Sequence, residues 1–201
     1  MSSALSFTCF VPTAFRPIPA ESGLLRTDYQ LEAVVPVTGA TSSGIEPGQR
    51  WSRIERSGAP LWQDAPFIGS TQHLLYTDAA TRNELTQLSR GPSGPCAVMI
   101  PIRKSAAWWA LGQEERQAHF TPGARPSHTS IGRSFAARIY RRLYHARYLP
   151  GSSWDFLTYF EFPQAERDSF RELLGILRDP QQNPEWAFVE REQELWFQKS
   201  S

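Results

Sequence analysis

The chain has 201 residues, of which 40% are hydrophobic and 12% aromatic, enough to bury one good core or two small ones. With 21 Lys and Arg against 20 Asp and Glu, its formal net charge is +1, so no overall field attracts nucleic acid or an anionic membrane. Cys9 and Cys96 lack metal-site or disulfide-framework spacing, and no window approaches the ~18 uninterrupted apolar residues of a membrane span. We therefore expect a cytoplasmic protein without nucleic-acid or membrane partners.

The first ninety residues predict few elements. The segment RTDYQLEAVVPV, from Arg26 to Val37, predicts a strand, and the Gly- and Ser-rich run that follows it predicts a loop. Further on, TDAATRNELTQLSRG predicts a short helix that ends at Gly91. Residues 1–95 are therefore expected to form the N-terminal part of an α+β unit, with no chemistry that the residues reveal.

A strand followed by a helix is predicted next. GPCAVMIPIRK, from Gly94 to Lys104, is a nearly continuous apolar run bounded by turn residues, which is typical of a buried central strand. Ser105 can then cap a helix through SAAWWALGQEERQAHF, whose polar half suits solvent and whose tryptophans suit a core or a pocket.

The segment from His128 to Gly151 carries two histidines around a dense run of arginines and tyrosines. Such a run could contact and stack on nucleic acid, but no RNA-binding signature accompanies it. The two histidines of this segment, His128 and His145, have no cysteine or nearby carboxylate to complete a zinc site. Taken alone, residues of these types are most often ordinary solvated or packed side chains.

The last third of the chain is the most regular. In DFLTYFEF, the two-residue period of a strand puts Thr158 and Phe160 on one face, while DSFRELLGILRD has apolar residues at helical spacing before Pro180. EWAFVEREQELWF predicts a final strand. Alternating strands and helices without a Gly-rich phosphate loop predict an α+β fold of ferredoxin-like type, an antiparallel sheet with helices packed on one face.

Three segments, in this order along the chain, resemble the chlorite dismutase family of haem b enzymes, particularly its short-chain members. They are AVMIPIRKSAAWWALGQEERQAHF, HTSIGRSFAARIYRRLYHARYLPGSSWDFLTYFEF, and FRELLGILRD with EWAFVERE. The resemblance covers about Cys96 to Phe197 and is loose before it. It implies a dimeric α+β barrel, which agrees with the ferredoxin-like expectation, and places haem binding in residues 96–201.

The resemblance also implies a set of site residues. His128 of HTSIG matches the proximal haem ligand of the family, and Arg141 of RRLYH matches its distal arginine. Glu185 matches the acid that hydrogen-bonds the proximal imidazole, and Lys104 belongs to the same network. The other matched residues pack around the cofactor or form the distal pocket: Trp108, Trp109, Leu143, Thr158 and Phe160.

A straight helix could not bring the two central residues of this set to one iron. Arg141 follows His128 by 13 residues. Over that length a straight helix would separate the two Cα atoms by ~20 Å. We therefore expect the segment to bend, near Gly132 and Ser134.

The activity implied by the resemblance is that of a chlorite O2-lyase, which converts chlorite to chloride and dioxygen through a ferryl species and hypochlorite. In the related coproheme decarboxylases a tyrosine precedes the P-x-x-K element and the distal arginine is absent, whereas this chain has Ile100 and Arg141. A haem sensor or carrier, or a peroxidase-like relative, would use the same proximal ligand and stays an alternative. The expected partners are a small anion, chlorite, and a second copy of the chain in a homodimer.

Overall fold

A computed structural model describes residues 5–71, 91–92, 94–120 and 127–200. Within them, eight antiparallel strands close into a barrel in the spatial order β1-β3-β2-β8-β5-β7-β6-β4. The strands are β1 (Ser6–Pro12), β2 (Leu25–Thr38), β3 (Arg50–Ser57), β4 (Phe67–Ser70), β5 (Cys96–Lys104), β6 (Tyr140–His145), β7 (Phe156–Phe162) and β8 (Val189–Lys199).

The helices of the described residues all follow β5 in the chain. They are α1 (Ala106–Ala110), α2 (Gln113–Ala118), α3 (His128–Phe135) and α4 (Arg167–Leu177), with short 3-10 helices at Gln164–Glu166 and Pro184–Phe188. In the part of the chain that the structure describes, no helix has the length and apolar character needed to cross a membrane.

The two halves of the barrel repeat one strand order. In β1–β4 the spatial order is fourth, first, third, second strand, and in β5–β8 it is the same. Pairing of β2 with β8 and of β4 with β6 joins the halves. The second half fills both of its crossovers with helices, α1 to α3 between β5 and β6 and α4 between β7 and β8.

The side chains of each strand alternate between the barrel interior and an outer face. All eight strands contribute to the interior cluster, which is rich in aromatic residues such as Trp51, Tyr144 and Phe197. On the outer face of β5–β8, a second cluster packs the strands against α3 and α4: Cys96, Val98, Ile100, Ile131, Phe135, Ile139, Phe160, Phe162, Phe170, Leu173, Leu174 and Trp196. The α+β class and the antiparallel sheet expected from the sequence are therefore present.

Several predicted elements agree with the structure, and three differ. Strands β2, β5 and β7 and helix α4 coincide with their sequence signals, whereas the predicted helix ending at Gly91 lies outside the described residues. The helix after Ser105 is broken at Leu111 and Gly112, and the Ser105 side chain makes no capping hydrogen bond. The final strand begins only at Val189, after a 3-10 helix. The segment after His128 turns past Phe135, not near Gly132 and Ser134, because both of those residues stay inside α3.

Candidate active site

A cavity lies on the outer face of β5–β8, where α3, α4 and the 3-10 helix Pro184–Phe188 cover the sheet. It encloses about 490 Å³ that protein atoms do not fill, part of it open to solvent. Its ionisable lining residues are Lys104, His128, Arg141, Arg178, Glu185 and Glu192, and its other lining residues are Ile100, Ile102, Thr158, Phe160, Leu174, Leu177, Asn183, Trp186 and Val189. Charged groups are thus gathered in a largely apolar wall.

The start of α3 fixes the position of His128. Ser127 is the N-cap, and its hydroxyl accepts a hydrogen bond from the Ser130 backbone N–H at 3.2 Å. In return the Ser130 hydroxyl accepts one from the Ser127 backbone N–H at 2.9 Å. This reciprocal cap satisfies two backbone donors and makes His128, which lines the cavity, the first helical residue.

A carboxylate and a lysine stand behind the imidazole. The Nδ1 atom of His128 lies 2.9 Å from Oε2 of Glu185, and the other carboxylate oxygen forms an ion pair with Lys104 Nζ. Lys104 Nζ also donates to the Glu185 backbone carbonyl at 3.4 Å. When Nδ1–H donates to Glu185, Nε2 keeps its lone pair and can bind a metal.

The charge of Glu185 depends on these partners. Burial alone would raise the pKa of this carboxyl group, but the positive charge of Lys104 and the contact with His128 outweigh burial and hold the pKa below its ordinary value. Glu185 and Lys104 are both buried. The pair therefore presents a permanent hydrogen-bond acceptor to the imidazole at neutral pH.

Arg141 enters the same cavity from the sheet. It lies on β6 opposite Phe160 of β7, so the two side chains share the outer face. Arg141 is solvent-accessible because it lines the cavity, yet it has no hydrogen bond or ion pair with any other described residue. The surrounding protein lowers the pKa of its guanidinium, an effect that Glu185 partly offsets. A guanidinium stays charged in proteins, so the cavity holds a cation with unused donors.

Two more of the predicted residues, Thr158 and Phe160, line the cavity, while three others stand behind or beside it. Lys104 Nζ lies 5.0 Å from the centre of the buried Trp108 ring. Trp109 Nε1 donates to Asp155 at 3.3 Å, and the Arg147 guanidinium lies 3.7 Å from its ring centre. Leu143 lies opposite Thr158 and shares its sheet face, without lining the cavity. Trp108 therefore packs behind a lining residue, whereas Trp109 and Leu143 lie outside the cavity lining.

Arg178 and Glu192 were not among the residues predicted for the site. Arg178 follows Leu174 by four residues, so the helical period places it on the face of α4 that packs on the sheet. Glu192 shares a face of β8 with Glu194 and Trp196 by strand parity. The sequence therefore predicts the face on which each residue lies, but it does not predict that α4 and β8 bring the two side chains into contact.

Comparisons with known proteins bear on this geometry. No protein-family model matches the chain. Over 103 residues it is 32% identical to the chlorite dismutase of Ideonella dechloratans, a match that covers 47% of this chain and 33% of that protein. The structure of dimeric chlorite dismutases from Nitrobacter winogradskyi is 30% identical and covers 95% of this chain and 99% of that one, with a TM-score of 0.72.

The chain belongs to the chlorite dismutase family.

A more distant chlorite dismutase, from Candidatus Nitrospira defluvii in complex with imidazole, has the same fold. It is 21% identical, with a TM-score of 0.64 over 98% of this chain and 90% of that one. The family resemblance predicted from the sequence is confirmed over nearly the whole chain, including the N-terminal half, where the sequence resemblance was loose. Because the match to the Ideonella protein spans only a third of its length, the activity of this chlorite dismutase homologue is a proposal.

Proposed function

We propose that this chain is a haem b enzyme that decomposes chlorite to chloride and dioxygen. The observation that supports this most is that His128 and Arg141 line one cavity. The family resemblance assigns these two residues to the proximal ligand and the distal arginine. They come from different elements, α3 and β6, and only the fold brings them together.

The cavity residues fit a haem. An imidazole whose Nδ1 is held by a carboxylate is the usual axial ligand arrangement, because the carboxylate orients the ring and raises its basicity. The aliphatic and aromatic side chains of the wall suit the apolar face of a macrocycle. Bound haem iron would supply the redox chemistry that cleaves the O–Cl bonds and forms the O–O bond.

On the proximal side, each residue acts through its neighbour. His128 would bind the iron through Nε2 while Glu185 holds the proton on Nδ1. Lys104 keeps Glu185 charged and fixed, and the Trp108 ring, 5.0 Å from Lys104 Nζ, limits the positions open to the ammonium group. This chain of contacts keeps the imidazole in one tautomer and one orientation.

Arg141, which lines the cavity from β6, would bind the substrate anion. Its guanidinium is charged at any working pH and has no protein partner among the described residues, so its donors can hold chlorite and then retain hypochlorite until it reacts. Thr158 and Phe160 line the sheet wall of the cavity, and Phe160 lies opposite Arg141, with Leu143 on the same sheet face. Escape of hypochlorite would damage the protein, so retention is part of the function.

We also assign haem binding to residues 96–201 and a homodimeric state to the protein. The strand order of β5–β8 and the helices in both crossovers are those of a ferredoxin-like unit, and β1–β4 supply a second unit with the same strand order. The Nitrobacter winogradskyi relative is described as dimeric. Light scattering at micromolar concentration should give twice the chain mass, and a strict monomer would contradict the dimer.

The test of the activity combines an absorption spectrum with an oxygen electrode. Protein reconstituted with haem should show a Soret band and release close to one dioxygen per chlorite consumed, with a hypochlorite trap present. Haem binding without oxygen release would favour the sensor, carrier or peroxidase-like alternative. Absence of a Soret band after reconstitution would reject haem binding altogether.

A further inference from the structure

A second arginine lines the cavity, and its surroundings are the opposite of those of Arg141. Arg178 lies at the C-terminal end of α4, and its Nε and Nη2 donate to Oε1 of Glu192 at 2.9 and 2.5 Å. Its Nη1 lies 2.6 Å from Oε1 of Glu194. All three nitrogens of this guanidinium are thus occupied by carboxylates of β8.

The two carboxylates lie in a buried stretch of the outer face of β8. Glu192, Glu194 and Trp196 follow one another on the outer face of β8, and all three are buried. Trp196 Nε1 donates to the second oxygen of Glu194. Burying two carboxylates against one guanidinium is unfavourable unless each is paired. Burial raises the pKa of the Glu192 carboxyl group above its ordinary value, and Arg178 offsets that shift only in part.

We propose that Glu192 and Glu194 determine which anions the cavity accepts. Their carboxylates occupy the donors of Arg178. Among the described cavity residues, Arg141 is then the one guanidinium whose donors can bind an added anion. The negative charge of Glu192, which itself lines the cavity, repels a second anion and confines substrate to the side of Arg141. The inference rests on the proposed function for the identity of that anion.

A purely structural ion pair makes a different prediction from an anion filter. A structural pair would affect every ligand of the cavity alike, because its loss would loosen α4 against β8. A charge filter would affect anions and leave neutral ligands unchanged. The useful measurement is therefore the ratio of affinities for an anion and a neutral molecule.

The experiment uses haem-loaded protein titrated with nitrite, a small oxyanion, and with imidazole at a pH where it is neutral, each followed by the Soret shift. E192Q keeps the side-chain shape and removes its charge, and should bind nitrite about ten-fold more tightly than wild type, as expected when one buried negative charge is removed from the cavity lining. Its imidazole affinity should not change. E190Q is the matched control, since Glu190 lies on the same strand but is half exposed and pairs with Arg103 at 3.8 Å.

Two further variants keep the test decisive. E194Q removes the negative charge of Glu194 beside Arg178 without altering a residue that lines the cavity. It should also increase the affinity for nitrite, and it serves as the test if E192Q does not fold. In an Arg141→Ala background, E192Q should restore part of the lost nitrite affinity, because Arg178 then offers free donors.

The outcomes separate the two proposals. Equal nitrite affinity in wild type, E192Q and E194Q, or parallel shifts for nitrite and imidazole, would overturn the anion filter while haem binding stands. Failure of every variant and of wild type to bind haem would overturn the proposed function, and the filter with it.

Discussion

The two halves of the barrel share a strand order but differ on their outer faces. The outer face of the first half is filled by a small apolar cluster: Cys9, Val11, Ile54, Ala65 and Ile68, with Phe15, Ile18, Leu24, Leu61, Trp62 and Leu149 packed against it. The outer face of the second half is covered by helices and carries the cavity with its charged groups.

The difference follows from the crossovers. Residues 13–24 and 58–66 connect the strands of the first half without a helix, so their side chains lie directly on the sheet. In the second half α3 and α4 keep their axes at a helix radius or more from the strands, since a helix with its side chains is ~10 Å across. One strand topology can therefore build a filled face or a cavity, depending on what crosses it.

The largest difference between the halves is expected for ion pairs. Glu185→Gln should lower the free energy of unfolding by about 3–5 kcal/mol, because it leaves Lys104 buried without its carboxylate partner. In the first half, Glu21 pairs with Arg56 at 3.3 Å with both side chains more than a third exposed, and Glu21→Gln should cost about 0–1 kcal/mol. Denaturant unfolding of the haem-free proteins measures both. Equal losses would show that the second half does not depend on its buried pair.

A pair of core substitutions compares the filled face with the cavity. Ile68→Ala in the first half should cost about 2–5 kcal/mol, because its surroundings are filled on every side. Leu174→Ala should lie at the low end of that range, since Leu174 already borders the cavity and loses fewer packing contacts. Thermal or denaturant unfolding of the haem-free variants gives the order. A larger loss at Leu174 would mean that the cavity wall is as tightly packed as the first half.

Substitution of Arg141 tests the distal side without affecting the proximal network. Arg141→Ala should retain haem but release more hypochlorite, since a lost charge-assisted contact is worth roughly 1.5–3 kcal/mol, or about one to two orders of magnitude in the escape ratio. Arg141→Lys should recover only part of it, because it keeps the charge but not the planar fork. Trapped hypochlorite per chlorite is the measurement. Identical values for the three proteins would remove Arg141 from the catalytic scheme.

The smallest effect concerns pH. The pKa of Glu185 is below its ordinary value of 4.5 in the folded protein, so its contribution to stability is complete above that value and is lost as pH falls toward the folded pKa. Between pH 5 and 4, the free energy of unfolding of the haem-free wild type should fall by up to about 1 kcal/mol more than that of Glu185→Gln. Parallel pH profiles for the two proteins would contradict the lowered pKa.

Much of the fold could be predicted from local pattern, because strand and helix periods act within one element. The two-residue period correctly put Thr158 and Phe160 on one face, and the helical period predicted α4. The bend after His128 was placed too early, since Gly132 suggested a break that the Ser127 cap and the following turn of helix override. The stabilisation from the Ser127 cap therefore outweighs the low helix propensity of Gly132.

The site could be predicted only in part, for a similar reason. His128, Arg141, Glu185 and Lys104 came from the family resemblance, and the structure brings all four to one cavity. Arg178 and Glu192 belong to α4 and β8, and their contact depends on how the helix lies across the sheet. Neither the helical period nor the strand period predicts that arrangement. Nor could the sequence separate a tryptophan that lines a cavity from one that supports its wall, as Trp108 does.

Chemical rescue tests whether His128 supplies the iron ligand in the cavity of the second half. His128→Gly loaded with haem should lose the histidine-ligated spectrum and regain it when imidazole is added. His145→Gly is the matched control, because His145 packs against Phe156 at 5.4 Å between ring centres and does not line the cavity. Its spectrum should equal that of wild type. A wild-type spectrum for His128→Gly without imidazole, or its loss in His145→Gly, would contradict the account.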